Sequence, residues 1–283
     1  MKDKTILITG STDGIGKQTA LELAEMGATV LLHGRNPGRG DKVLQEIKKA
    51  TGNDRIEVLI ADLASLTQVR NLAEQVQQRH GRLDVLINNA GVYETRHRIS
   101  KDGFEMTFAV NHLAPFLLTL LLLDLIKNSA PSRIINVSSQ VHASSIDFEN
   151  FQAEKHYSAY EAYSLSKLCN VLFTYELAER LKGTGITVNC LHPGVINTKL
   201  LKTGWGMGGS PVTQGSKTSV YLASDPELST VTGKYFNNRR SSKSSQISHD
   251  AKTRNAFASG ALLAASYAAK NKGILGMSGL LDL

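Results

Sequence analysis

The stretch Thr5-Ile6-Leu7-Ile8-Thr9-Gly10-Ser11-Thr12-Asp13-Gly14-Ile15-Gly16 decides the fold. A short apolar, β-branched run (residues 5–9) leads through three glycines into a helical pattern at 17–26. A strand feeding a helix in this way brings the helix N-terminus, with its free amides and positive dipole end, to the carboxyl edge of the strand. Glycines in the turn let a pyrophosphate approach the backbone. A turn that merely needs positive φ would also use glycine. Its place on the first strand of the chain favours a nucleotide site, with Gly10, Ser11, Thr12, Asp13, Gly14, Ile15 and Gly16 as candidate contacts.

Outward from this turn, similar apolar runs recur at 29–33, 56–60, 83–87, 133–137, 186–191 and, shorter, 234–236. They are continuous rather than alternating, the mark of strands covered on both faces. Helical patterns fill the intervals. The clearest is 66–79, with Leu66, Val69, Leu72, Ala73 and Val76 on one stripe and Ser65 and Gln68 at capping-box spacing; 102–127 and 159–181 are longer. Strand–helix alternation predicts an α/β fold: a doubly wound, Rossmann-type, mostly parallel sheet of about seven strands in a single domain over residues 1–255. Residues 200–211 carry four glycines beside Trp205 and Met207 and read as a mobile loop with apolar tips, part of a substrate loop near 199–216. The Ala/Gly/Ser-rich residues 256–283 read as an atypical tail with a weak helix.

The chain has 283 residues, 41% hydrophobic and 20% charged, which excludes collagen-like, acidic-disordered and mucin-like classes. Its two cysteines, Cys169 and Cys190, exclude a disulfide framework and read as buried free thiols. No Cys/His cluster has metal-ligand spacing, so no metal site is expected. Of the net charge of +7, five charges lie between Val231 and Arg254, where six cations face Asp250 alone. This reads as a solvated basic loop, with an anion-facing patch as the alternative. It lacks interleaved stacking aromatics, so no nucleic-acid partner is expected. No signal peptide precedes the first strand, and the most apolar stretch, 116–123, is too short to span a bilayer. The expectation is a soluble, cytoplasmic protein without a membrane anchor.

Further motifs follow in order. Asp62-Leu63 comes after the third run and Asn88-Asn89-Ala90-Gly91 after the fourth, with Asn111 in the next helical pattern. Ser138-Ser139 follows the fifth run, Tyr163-x-x-x-Lys167 lies in a helix, and Pro193-Gly194-x-x-x-Thr198 follows the sixth. With Thr9-Gly10-x-x-x-Gly14-x-Gly16, this series resembles the short-chain dehydrogenases/reductases over roughly residues 4–240. The resemblance implies a hydride-transferring oxidoreductase. Tyr163, Lys167, Ser139 and Asn111 are then its catalytic group, Asn111 holding a water that links Lys167 to solvent.

The residues support those roles physically. Tyr163 and Lys167 are four apart and leave one helix face. A nearby ammonium favours tyrosinate and is expected to lower the Tyr163 pKa toward working pH, as a general acid/base requires. Ser139 lies at the carboxyl edge of the sheet, where its hydroxyl can bond a substrate oxygen; Ser138 competes, and the family register favours Ser139. The same resemblance implies Asp62 and Leu63 at the adenine, Asn89, Ala90 and Gly91 at its ribose, and Pro193, Val195, Ile196 and Thr198 at the nicotinamide carboxamide. Tyr163 and Lys167 also face the cofactor.

An NAD site places a carboxylate after the second strand. Here Gly34-Arg35-Asn36-Pro37-Gly38-Arg39 follows, with no carboxylate before Asp41. Arg35, with Asn36 beside it, can bond a 2′-phosphate in a charge-assisted fork, so NADP(H) is the expected cofactor. Arg39 reads as a solvated loop arginine. Ser139 and Tyr163 lie 24 positions apart, and the insertion at 146–157 resembles the retinol-dehydrogenase-like branch, which handles lipophilic aldehydes, ketones and alcohols. The expected partner is such a small molecule; a homo-oligomer is left open. The alternative is a non-enzymatic nucleotide-sensing protein on the same fold, a class that usually lacks the Tyr/Lys pair present here.

Overall fold

Ile6 and Ile8 point to one side of the first strand and Leu7 to the other, and all three are completely buried. A computed structural model describes residues 1–250, 253 and 254; the expected tail at 256–283 lies outside the described residues. The apolar runs become β1 (Thr5–Ile8), β2 (Thr29–Gly34), β3 (Ile56–Ile60), β4 (Val85–Asn88), β5 (Ser132–Val137), β6 (Ile186–His192) and β7 (Tyr235–Asn237). An eighth strand, β8 (Arg240–Ser242), completes the order β3-β2-β1-β4-β5-β6-β7-β8. All pairings are parallel except β7 with β8.

β8 adds one short edge strand to the expected sheet of about seven, and it corrects one expectation: part of the basic stretch is a hairpin rather than a loop. Asn238 and Arg239 turn the chain with φ of 48° and 61°, as a tight hairpin requires. Arg-Ser-Ser carries no apolar period because this edge strand is exposed on both faces, so nothing in the pattern announced it.

Helices cover both faces. α1 (Gly14–Glu25), α2 (Pro37–Thr51) and α9 (Val212–Ser224) bury Ala20, Leu23, Val43, Ile47 and Val220 against Ile6, Ile8, Val30 and Ile135. The opposite core holds α3 (Leu66–Arg79), α4 (Met106–Phe108), α5 (Ala114–Leu121), α6 (Leu123–Asn128) and α7 (Ala159–Arg180) over Leu7, Leu31, Leu86 and Ile134. Two-sided burial explains the continuous apolar runs. α8 (Lys199–Trp205) stands at the carboxyl edge. Among the described residues no helix is long and apolar enough to cross a membrane.

Two local expectations are corrected, and the reading of the cysteines holds. The 102–127 helix is broken by a π-helical turn, Ala109–Leu113, in which the Ala114 amide donates to the Ala109 carbonyl. Pro115 is the cause: it has no N–H to give the Asn111 carbonyl four residues back. Ser65 makes no side-chain cap on α3; the Leu66 amide instead donates to Asp102 Oδ2 at 2.7 Å, and Gln68 Oε1 accepts from the Asp62 amide at 2.8 Å. Both cysteines are buried free thiols.

Candidate active site

Between β1 and β4 the strand order reverses, and there the carboxyl edges of an open α/β sheet splay apart into a crevice. A cleft of about 1290 Å³ fills it. The glycine turn forms its floor. Gly10 has φ of +64°, and a Cβ there would sit 2.9 Å from Ala90 Cα; a Cβ on Gly16 would collide with the Gly10 carbonyl and Asn89. Asn89 Nδ2 donates to the Thr9 carbonyl at 2.8 Å, and the Asn89 and Ala90 amides donate to Thr9 Oγ1 at 3.0 Å. His33, buried at the end of β2, accepts from the Gly10 amide at 3.1 Å and donates from Nε2 to the Ala61 carbonyl at 3.1 Å. Those two partners require a neutral ring, and burial pushes its pKa down to about 4.

Gly10, Thr12, Asp13, Gly14, Ile15, Gly16, Arg35, Asp62, Leu63, Asn89, Ala90, Gly91, Pro193, Val195, Ile196 and Thr198 all line this one cleft. Two of the cofactor candidates do not. Ser11 is buried, its hydroxyl donating to the Ile8 carbonyl and accepting from the His33 amide, so it ties β1 to β2. Asn36 caps α2 by accepting from the Arg39 amide at 2.9 Å. Arg39, expected as a loop residue, lies in the first turn of α2 and does line the cleft. A first helical turn carries amides without intrahelical acceptors, and Gly14, Ile15 and Gly16 hold that turn of α1 against the cleft. Glycine cradle, helix N-terminus and Arg35 together fit a dinucleotide.

At the other end lie Ser139, Tyr163 and Lys167. The Tyr163 phenol faces the Ser139 side chain. The Ser139 hydroxyl accepts from the Val141 amide at 3.0 Å. The Ser138 hydroxyl donates to the Lys167 carbonyl at 2.8 Å, which turns it into α7 and leaves Ser139 as the serine beside the tyrosine. Lys167 Nζ donates to the Val137 carbonyl at 3.0 Å and lies 5.6 Å from the Tyr163 ring centroid.

The electrostatics differ from the sequence expectation. Burial pushes the Tyr163 phenol up to about 12, outweighing the Ser139 hydrogen bond, and pushes Lys167 down to about 8. Both shifts have one cause: the charged form of each group loses its hydration in a nearly dry site. Tyr163 is therefore a protonated donor at neutral pH.

Residues 4–205 match the short chain dehydrogenase family. The chain is 42% identical to human retinol dehydrogenase 14, over 83% of this chain and 78% of the relative. It is 47% identical to human retinol dehydrogenase 13, over 82% and 76%. Among solved structures, a short chain dehydrogenase from Escherichia coli CFT073 complexed with NADPH superposes with a TM-score of 0.71 at 26% identity, over 85% of this chain and 98% of that one. The chain belongs to the short-chain dehydrogenase family. It is an oxidoreductase of the retinol-dehydrogenase-like branch, acting on alcohol or carbonyl groups.

Two features of this short-chain dehydrogenase refine the expected site. Asn111 sits in the π turn, outside the cleft lining. Its side chain accepts from the Val92 amide at 2.7 Å and donates to the Val92 carbonyl and Ser166 Oγ, both at 3.0 Å. Asn170 Nδ2 donates to the Asn111 carbonyl at 2.9 Å, replacing the amide that Pro115 lacks. Through its side chain Asn111 thus ties α7 to the loop after β4.

The expected loop at 200–211 begins as a helix, α8, capped by Thr198 and ended by Gly206 in the left-handed conformation. Leu200, Leu201, Trp205 and Met207 line the cleft. Tyr93, Tyr163 and Trp205 form a three-ring cluster with centroids 5.1 to 5.5 Å apart. Sequence reasoning missed Tyr93, although an aromatic two residues past Gly91 was a usable signal. The 146–157 insertion packs Phe151 edge-on against Phe108 at 5.0 Å.

Proposed function

We propose that this oxidoreductase uses NADP(H) on a lipophilic carbonyl or alcohol, with Tyr163 as general acid/base. The observation that carries the reading is the juxtaposition of Tyr163 with Ser139 and Lys167 beneath an aromatic and aliphatic wall. When bound, the cofactor supplies or accepts the hydride. The chain does the rest. The glycine turn and the α1 N-terminus receive the pyrophosphate. Ser139 orients the substrate oxygen and stabilises charge developing there. Tyr163 gives its phenolic proton to that oxygen in reduction and takes it back in oxidation. Lys167 places a cation near the ring and holds the sheet edge through Val137. Trp205, Tyr93, Leu200 and Met207 exclude water, which strengthens these contacts.

NADP(H) preference is supported by Arg35, which follows β2 and lines the cleft with no carboxylate between it and Asp41, and by a solved neighbour carrying NADPH. The test is coenzyme oxidation by the purified protein with NADPH and with NADH against lipophilic and hydrophilic aldehydes. The reading expects the highest kcat/KM with NADPH and lipophilic aldehydes. NADH preference or indifference to substrate polarity contradicts it.

A further inference from the structure

Ser139 is held by its backbone from a part of the chain beyond the segment matched to the family. Its carbonyl accepts two hydrogen bonds, from the Tyr235 hydroxyl at 3.1 Å and from His142 Nδ1 at 2.8 Å. The two rings lie together, centroids 5.6 Å apart. His142 Nε2 accepts from the Ser245 amide at 2.8 Å. A neutral imidazole has one donor and one acceptor nitrogen, so the Ser245 amide fixes His142 in the Nδ1–H form that the Ser139 carbonyl needs.

This arrangement is anchored in turn. Tyr235 is the first residue of β7, and Ser245 follows β8. Next to Ser245, the Ser244 hydroxyl bonds the Tyr175 hydroxyl of α7 at 2.7 Å and Ser248 at 2.6 Å. His249 stacks on the Tyr175 ring at 5.2 Å. The segment after β8 is therefore fastened to the helix that carries Tyr163 and Lys167, and reaches Ser139 through His142.

We propose that β7 and the segment 240–250 form a brace for Ser139, in which Tyr235 and His142 are positioning residues for the reaction. Two donors from different elements fix the Ser139 carbonyl, and the Val141 amide holds the hydroxyl of the same residue, so the brace sets where that hydroxyl stands. Placement matters at this scale, since a shift of about 1 Å in a reacting group can cost roughly 10²-fold in rate. His142 itself transfers no proton: both ring nitrogens are engaged with backbone groups. The inference rests on the reading of Ser139 as the residue that orients the substrate oxygen.

The experiment measures kcat and KM for a lipophilic aldehyde, NADPH affinity by its fluorescence, and melting temperature. The variants are Tyr235→Phe, His142→Ala, His142→Asn and Tyr235→Phe/His142→Ala, with Ser139→Ala as reference. Tyr235→Phe removes only the hydroxyl. His142→Asn keeps an N–H for the Ser139 carbonyl and needs no partner to fix a tautomer. Expected is a roughly two- to tenfold loss of kcat for each bond removed, recovered by His142→Asn, with NADPH affinity unchanged. Full kcat in the double variant, while Ser139→Ala is impaired, overturns the brace alone. A loss of kcat matched by lost NADPH affinity and lower melting temperature shows general damage and also overturns it. Full turnover in Ser139→Ala overturns both the brace and the role of Ser139.

Discussion

Trp205, the last residue of α8, meets the ring of Tyr163 edge-on with 5.5 Å between centroids. A cleft-lining residue of α8 thus rests on the candidate acid/base itself. Lys199, at the start of the same helix, bonds Asp13 of the glycine turn at 2.7 Å, so α8 reaches from the glycine turn to the tyrosine.

Removing that cover should weaken lipophilic substrates selectively. Trp205→Ala is expected to raise KM for a long-chain aldehyde by roughly tenfold, about half the value of burying a large apolar side chain completely, and to leave a small hydrophilic aldehyde little changed. Equal effects on the two substrates would show that Trp205 does not form the apolar wall.

Arg35→Ala should reduce the NADPH/NADH preference. A hydrogen bond to a charged group is worth about 1.5–3 kcal/mol, so the ratio of kcat/KM values should fall roughly ten- to a hundredfold. An unchanged ratio would move recognition of the 2′-phosphate to Arg39, the other cleft arginine in the first turn of α2.

Much of this site was legible because its residues carry chemistry in chain order: the glycine turn, Asn89 to Gly91, Ser139, Tyr163 and Lys167. What the pattern hid was hidden for physical reasons. Ser11 and Asn36 sit in motif positions, but their side chains satisfy nearby backbone, which spacing does not reveal. The π turn follows from Pro115 and needs Asn170, 55 residues on, to satisfy the carbonyl it orphans. Strand β8 is polar because it is an exposed edge. The direction of the Tyr163 shift depends on burial, which no motif reports.

Acid should destabilise the fold through buried histidines. His33 and His112 are pushed down to about 4 by burial from an ordinary value of 6.5. The unfolded chain therefore binds protons first, and the stability of the neutral rings, complete above the unfolded pKa, is lost as pH falls from 6.5 toward 4. Each contributes a slope of about 1.4 kcal/mol per pH unit, or about 2 kcal/mol at pH 5. Urea unfolding at pH 7 and pH 5 measures it; coincident midpoints would contradict the buried, neutral assignment.

The two directions of the reaction should respond differently to pH. With its phenol near 12, Tyr163 is protonated throughout the neutral range, so carbonyl reduction should be level there. Alcohol oxidation needs the scarce phenolate and should still be rising at about pH 9. Initial rates with saturating coenzyme in each direction test this; oxidation that levels off near neutrality would place the working pKa much lower.

The role of Tyr163 is tested most directly by Tyr163→Phe, which removes the proton donor and keeps the ring between Tyr93 and Trp205. The measurement is kcat with a lipophilic aldehyde alongside NADPH affinity in the same variant. The expected result is turnover lowered by at least ~10²-fold, in the range of general acid–base catalysis, with NADPH still bound. Near-normal turnover in Tyr163→Phe would contradict the proposed mechanism.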